Sequence, residues 1–380
     1  MRVISLFSGA GFLDLGFSEN GYEVIWGAEI ESEFARAHNY NLRLRYGHTE
    51  DIVQNVSVTD VIATEIPFEN CRGIIGGPPC QDFSKGNANN LGVEGKRGQL
   101  VWDFLEKVSH LAPDFFLFEN VAGLYTTKRN RESALLPMLK IFSDMGQTYS
   151  WAEGLKYRTY FKVLNALDHD IPQDRQRVFI VGFKEEIIDT LIANGMPEFE
   201  WPMEITPNAK KQFEWPEPWE FGTEVDEQEY IDALNSPYRL TVHSAIGNEE
   251  ELQGLPNHVS FNPYSDKFRI VEEGDTTRKS FKRLHRFKYS PTVAYGNNEV
   301  HLHPTKARRL TVREALRLQS VPDWYEFPRD MALDKMFKMV SNGVPFRLAE
   351  LLAREIQLVI NNYDNLIMNQ RVIPQAIAVE

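Results

Sequence analysis

The chain opens Met1-Arg2-Val3-Ile4-Ser5-Leu6-Phe7-Ser8-Gly9-Ala10-Gly11, a short β-type apolar run that breaks into a glycine turn. A run this short, ending in Gly-x-Gly, fits a first strand and its strand-to-helix turn better than a signal peptide. Similar runs recur at Val24 to Glu29, Gly73 to Gly77, Phe115 to Glu119, Phe161 to Asn165 and Val178 to Phe183. Between them, Ser32 to Leu42, Leu100 to Leu111 and Leu135 to Met145 carry apolar residues at three-and-four spacing, the helical period. Strands alternating with helices predict an open, mixed but mostly parallel α/β sheet over residues 1–183. In such a sheet, ligands bind outside the carboxyl ends of the strands.

Beyond Phe183 the pattern degrades. Residues 184–300 are rich in Pro, Trp, Asn and charge without a long periodic helix, which predicts a second, smaller and irregular domain. Helical order returns in 301–380. Thr311 with Glu314 is a capping box for a helix through Gln319 that Pro322 stops, and Pro345 suits the first position of a last helix presenting Ala349, Leu352, Ile356 and Val359 on one face.

The 380 residues are 42% hydrophobic and 25% charged, ample for a large core and, by length, two or three domains. No run approaches the roughly 20 apolar residues of a membrane span. The two cysteines, Cys71 and Cys80, argue for a reducing compartment, hence the cytoplasm, and against a disulfide framework or a zinc site. A net charge of −13 counts against nucleic-acid binding until its distribution is considered. Glu214 to Glu251 is acidic, whereas Lys267 to Arg309 gathers Arg269, Arg278, Lys279, Lys282, Arg283, Arg286, Lys288, Lys306 and Arg308, either a DNA-binding surface or a solvated face.

The residues just after each strand are chemically pointed. The Gly turn at 9 to 11, with a carboxylate at Glu29 ending the second strand, suggests a nucleoside-containing cofactor, although glycines at 9, 11 and 16 do not make the Gly-x-Gly-x-x-Gly of dinucleotide enzymes, and a plain tight turn is an alternative. Gly76-Gly77-Pro78-Pro79-Cys80 places a thiol at the sheet's carboxyl edge, as a nucleophile or as a buried hydrophobe. Cys71 fits the buried reading. The polar stretch from Lys85 to Gln99 is long for a connection and suits a lid or binding element. Glu119 ends an apolar strand on the same edge, suited to protonating or hydrogen-bonding a ring nitrogen in a partly dry site, or else simply solvated.

Six strings then go beyond spacing: Phe-Ser-Gly-Ala-Gly (7 to 11), Gly-Gly-Pro-Pro-Cys-Gln-x-Phe-Ser (76 to 84), Glu-Asn-Val (119 to 121), Gln-x-Arg-x-Arg (173 to 177), Arg-x-x-Thr-x-Arg-Glu-Ala (308 to 315) and Asn-Gly-Val-Pro (342 to 345). In kind and order they resemble the motifs of the C5-cytosine DNA methyltransferase family of bacterial and phage modification enzymes. The resemblance implies a Rossmann-like S-adenosylmethionine-dependent catalytic domain in two pieces, 1–183 and 301–380, around a target-recognition domain at 184–300. It implies methyl transfer from S-adenosyl-L-methionine, leaving S-adenosyl-L-homocysteine, to C5 of a cytosine flipped out of double-stranded DNA, with no metal. Cys80 would attack C6, Glu119 would hold or protonate N3, and Arg177 with Arg175 would contact the base near O2 and the acid. Around the cofactor it implies Phe7 and Ile30 at the adenine, Glu29 at the ribose, Asp51 with Ile52 at the adenine amine, the Gly9-Ala10-Gly11-Phe12 loop, and Pro79, Leu100 and Asn342 at the methionine end.

Two positions depart from the pattern: Phe12 and Ser341 stand where the family usually has Gly, which puts local geometry in doubt more than cofactor binding. The same resemblance implies a cytoplasmic, nucleoid-associated monomer, a cognate restriction endonuclease as possible partner, a DNA clamp in the polar loop after Cys80, and DNA contacts from Tyr289-Ser-Pro-Thr-Val and from Arg278 to Lys288. Rival readings are the transfer-RNA branch of the family, a catalytically silent DNA-binding homologue, for which the intact Cys80, Glu119 and Gln-x-Arg-x-Arg speak badly, and a nicotinamide oxidoreductase, which leaves Pro78-Pro79-Cys80 unexplained.

Overall fold

The computed structural model describes residues 1–79, 99–259, 264–278, 280–293, 295 and 300–372. Its frame is a seven-stranded sheet of β1 (Arg2–Leu6), β2 (Glu23–Ala28), β3 (Val53–Gln54), β4 (Gly73–Gly76), β5 (Phe115–Val121), β6 (Tyr157–Asn165) and β8 (Gln176–Lys184), in the order β3-β2-β1-β4-β5-β8-β6. The first five strands pair in parallel, and β8 runs antiparallel to both β5 and β6. This is the mixed, mostly parallel sheet that the alternating pattern predicts. Because β8 is reversed, its first residues lie at the carboxyl ends of the parallel strands, with Arg177 opposite Val121.

Period-two alternation along the strands feeds a hydrophobic layer on each face. Ile4, Ile74, Phe116, Phe118 and Ile180 point to one side, where α3 (Leu100–Leu111) and α4 (Leu136–Ser143) cover them with Phe104, Leu105, Met138 and Phe142. Val3, Ile75, Phe115, Leu117 and Val181 point to the other, under α1 (Phe12–Ser18), α5 (Glu185–Ala193) and the long α8 (Phe346–Val372). Leu348, Leu352 and Ile356 of α8 are fully buried there, each stabilising by roughly 1.5–3 kcal/mol relative to exposure. A Cβ on Gly16 would come 2.7 Å from that of Ala349, so α1 and α8 pack closely because position 16 has no side chain. No helix among the described residues is long and apolar enough to cross a membrane.

Several elements differ from the sequence reading. β6 begins at Tyr157, four residues before the expected start, because Arg158, Thr159 and Lys162 interrupt the apolar run of an edge strand. Helix α5 occupies the start of the segment expected to be irregular, and Ile187, Ile188 and Leu191 place it in the sheet's own helical layer. Helix α6 (Val312–Leu318) has the capping box at Thr311 and Glu314, and α7 (Leu333–Asn342), which the sequence reading did not pick out, follows it. The last helix begins at Phe346, one residue after Pro345. A third hydrophobic cluster joins Phe12, Leu15 and Phe34 to Leu284, Val293, Leu316, Tyr325, Phe337 and Phe346, so both chain ends close on the same side of the sheet.

The basic run is largely internal. Arg283 is fully buried and donates to the carbonyls of Phe268, Val271 and His303. Arg286 pairs with the fully buried Glu273 at 2.8 Å, and Arg308 pairs with Glu314 at 2.7 Å. Arg278 ion-pairs with Asp275. Tyr289 packs on Trp215, and a two-residue strand, β9 (Ser290–Pro291), pairs with β7 (Gln173–Asp174). The expectation of DNA contacts is thereby corrected for Arg283 and Arg286: a desolvated guanidinium needs fixed acceptors, and this domain's small apolar cores supply carbonyls and a carboxylate instead. Lys279 lies outside the described residues.

Candidate active site

β1 ends at Leu6, and the chain then turns through Phe7 (φ 58°), Gly9 (φ 58°) and Gly11 (φ 88°). At Gly11 glycine is required twice over: φ is left-handed, and a Cβ would lie 2.5 Å from the buried ring of His38 on α2 (Ser32–Tyr46). Glu29, just past β2, accepts from the amide of Gly9 at 2.9 Å and from that of Glu31 at 2.8 Å, so one carboxylate fixes the turn after β1 to the turn after β2. Burial raises its pKa and the two amides oppose the rise. Ile30 beside it is 67% exposed, an apolar surface at the rim.

A cavity of about 360 Å³ opens along this edge. Phe7, Gly9, Ala10, Phe12, Glu29, Ile30, Pro79, Leu100 and Asn342 line it together with Glu119 and Arg177. Gly11 lies behind the turn. Asp51 ion-pairs with Arg43 of α2, and Ile52 packs on the core; neither lines the cavity. The far wall comes from the end of α7 and the strap after it, Ser341 to Val344, with Lys338 3.4 Å from Glu31 and 5.5 Å over the Phe34 ring. Phe12, the first departure from the family pattern, is accommodated by an aromatic seat: it is 2% exposed, meets Tyr325 edge-on at 5.1 Å, and packs where a Cβ on Gly343 would be 2.1 Å from its ring. Ser341, the second, donates from Oγ to the carbonyl of Lys338 at 3.0 Å.

At the other end of the cavity Glu119 Oε1 lies 3.0 Å from Arg177 Nε, both side chains 12% exposed. Burial raises the Glu119 pKa above the ordinary carboxylate range, while Arg177, and Arg175 behind it, pull it back. Gly77 makes room for the carboxylate, since a Cβ there would be 2.7 Å from Glu119 Oε2. Asn120 is buried and donates to the carbonyl of Pro78 at 3.2 Å, fixing the Pro-Pro segment from which position 80 follows. Cys80 and the polar loop after it lie outside the described residues.

Arg175 is not at the base side of the cavity. It is fully buried, and its guanidinium donates to the carbonyls of Val293 (3.2 Å), Ser341 (2.8 Å) and Gly343 (2.7 Å). Arg175 lies before β8 begins, outside the pleat that turns Arg177 to the cavity, and its side chain reaches the strap instead. Gln173, also fully buried, donates to the carbonyl of Leu318 at 3.1 Å.

Sequence reasoning missed Asp14, Lys338 and Phe34. Asp14 lines the cavity beneath the turn and is 1% exposed, 3.7 Å from His38 Nε2. Burial lifts Asp14 to about 7 and lowers His38 to about 3, so between these values the two meet as uncharged groups rather than as an ion pair. The signal was present: an acid inside the apolar face of the first helix.

The profile of C-5 cytosine-specific DNA methylases matches residues 1–358. Type II methyltransferase M.NmeDI of Neisseria meningitidis serogroup C is 37% identical over 95% of this chain and 84% of its own length. M.FnuDI of Fusobacterium nucleatum is 29% identical over 94% of each. Among solved structures, one described as a prophage-encoded DNA modification methyltransferase (E. coli) aligns with TM-score 0.58 at 23% identity, over 95% of this chain and 99% of that one. A Spodoptera frugiperda DNMT2 mutant aligns with TM-score 0.58 at 14% identity, over 94% and 99%. The chain therefore belongs to the C-5 cytosine-specific DNA methylases and is a DNA (cytosine-5) methyltransferase.

Proposed function

We propose that the cavity holds S-adenosylmethionine along its Phe7-to-Glu31 rim and a cytosine, flipped out of duplex DNA, between Glu119 and Arg177. The observation that carries this reading is that a glycine turn tied to Glu29 and a buried Glu119–Arg177 pair open into one and the same cavity. Its chemistry suits the cofactor: an apolar rim at Phe7 and Ile30 for the adenine, the Glu29 carboxylate for ribose hydroxyls, and the Asn342 amide for the methionine end. S-adenosylmethionine, when bound, supplies the sulfonium methyl that C5 of the cytosine takes up.

The remaining steps belong to the chain. The Cys80 thiolate adds to C6, and the electron density pushed into the ring is met at N3 by Glu119, whose burial favours the protonated form. Arg177 orients that acid and reaches the O2 side of the base. Loss of the C5 proton to water then expels the Cys80 thiolate, and the N3 proton returns to Glu119 as the ring is restored. Extruding the base costs a few kcal/mol, offset by contacts to the flipped cytosine and to the backbone. Arg175 acts as a positioning residue that ties the strap carrying Asn342 to the segment leading into Arg177. We assign recognition of the flanking bases to the 184–300 domain, and a place in a restriction-modification system of the cytoplasm, as a monomer, follows the same reading.

Incubation with tritiated S-adenosylmethionine and unmethylated DNA of mixed sequence, followed by bisulfite sequencing, tests this. Methylation at one short motif that is lost in Cys80→Ser supports it. Transfer to transfer RNA with none to DNA would sink the duplex reading.

A further inference from the structure

The chain carries a net charge of −13, and much of its basic run is consumed inside the fold, yet a duplex presents about one negative charge per 1.7 Å of its axis. A different cationic segment adjoins the active site. From Ala122 to Arg131 the sequence reads Ala-Gly-Leu-Tyr-Thr-Thr-Lys-Arg-Asn-Arg, three cations with no carboxylate between Glu119 and Glu132. It leaves the carboxyl end of β5 directly after Val121, which lines the cavity.

The local fold turns Lys128 outward and leaves Arg131 half-exposed. Gly123–Thr126 and Lys128–Asn130 are single helical turns, and the fully buried Asn130 donates to the carbonyl of Gly123 at 3.1 Å, closing the segment on itself. With Asn130 inside, Lys128 and Arg129 are exposed. Lys128 has 80% of its side chain exposed, and the nearest carboxylate, Glu132, is at 3.9 Å, too far for a hydrogen bond. Tyr125, 37% exposed, packs at 5.6 Å against Phe161, 39% exposed, with the Arg131 guanidinium 5.8 Å over its ring. An aromatic pair flanked by cations beside the catalytic acid is what a sugar-phosphate backbone recognises, apolar sugar faces on the rings and phosphates on the charges.

We propose that the Tyr125-to-Arg131 segment is a backbone clamp for duplex DNA, with Lys128 and Arg131 neutralising phosphates next to the flipped cytosine and the Tyr125–Phe161 pair seating the sugars. The proposal rests on the duplex-DNA reading above.

The test is fluorescence anisotropy with a labelled mixed-sequence duplex between 50 and 200 mM salt. The proteins compared are the full-length wild type, Lys128→Gln/Arg131→Gln, Lys128→Glu, and Lys140→Gln as a control on the exposed face of α4. Each lost phosphate contact lowers the slope of log K against log salt by about 0.9, so the double variant is expected to lose about 1.8 and to bind roughly 60-fold more weakly at 0.1 M. Lys128→Glu is expected to weaken binding at least as much as loss of one contact, while Lys140→Gln and the S-adenosylhomocysteine affinity of all variants stay at wild type. Slopes and affinities indistinguishable from Lys140→Gln would overturn the clamp. A wild type that methylates transfer RNA but neither binds nor methylates duplex DNA would instead overturn the reading on which the clamp rests.

Discussion

Arg175→Met keeps an unbranched apolar stem and removes three donated hydrogen bonds, to Val293 at 3.2 Å, Ser341 at 2.8 Å and Gly343 at 2.7 Å. A hydrogen bond from a charged donor is worth about 1.5–3 kcal/mol net, and carbonyls left buried without a donor add to the loss. The cost of burying a guanidinium offsets part of this, so the expected destabilisation is roughly 3–5 kcal/mol, a large share of a typical 5–15 kcal/mol. Two of the three carbonyls flank Asn342 at the far wall of the cavity. If about 1.5–3 kcal/mol of the loss is expressed in the strap, S-adenosylhomocysteine binds roughly 10- to 100-fold more weakly. Urea denaturation reads the first quantity and titration calorimetry the second. Arg177→Met is the comparator, expected to keep cofactor affinity near wild type and to lose methylation. An Arg175→Met protein with wild-type cofactor affinity and stability, slow only in methylation, would refute the positioning role and return Arg175 to the base.

Three further outcomes follow from the same geometry. Gly11→Ala combines a left-handed backbone with a clash on the buried His38 ring, and is expected to cost roughly 2–4 kcal/mol in urea unfolding, with His38→Ala recovering the steric part and not the strain. Because burial lifts Asp14 from 3.8 to about 7, the folded chain keeps a proton that the unfolded chain releases, so this group makes stability fall as pH rises from about 4 to about 7 and leaves it level above. Asp14→Asn removes that fall: its stability relative to wild type, followed by thermal melting, is expected to climb across the same window by up to about 1.4 kcal/mol for each pH step of one, and a pH-independent difference would count against it. Glu119→Gln is expected to reduce single-turnover methylation by about 10²- to 10⁴-fold with S-adenosylhomocysteine binding intact; a milder loss would remove Glu119 from its proposed role.

What was legible in the sequence was what lies close together along it. β1, β2, β4 and β5 and the residues that end them are short, apolar and punctuated, and a strand end is where an α/β sheet does its chemistry. The capping box at Thr311 and Glu314 is likewise a local signal. Helix α7 was missed because its charged Asp334, Lys335 and Lys338 alternate with the buried Met336, Phe337, Met339 and Val340 in a pattern easily taken for a loop. Charge was the least legible property. A string of Arg residues gives no hint of which will find carbonyls: Arg283 does, and Lys128, in a shorter run, remains in solvent. Arg175 and Arg177 are alike in sequence and two residues apart, yet the start of β8 between them and the arrival of residues 341 to 343 from the far end of the chain give them different partners.

That far arrival has a consequence for how the molecule is made. The glycine turn leaves the ribosome first, whereas the strap that forms the opposite wall emerges some 330 positions later, which at about 5–20 residues per second is a delay of roughly 15–65 s. During that interval the sheet face destined for α8 has no permanent cover and is a natural client for chaperones. A half-synthesised or prematurely ended chain has the turn without the wall and therefore lacks the complete cavity. The same geometry suggests a split protein: fragments ending and restarting in the exposed stretch near Glu217 to Asp232 would each be silent and would regain the pocket only on meeting.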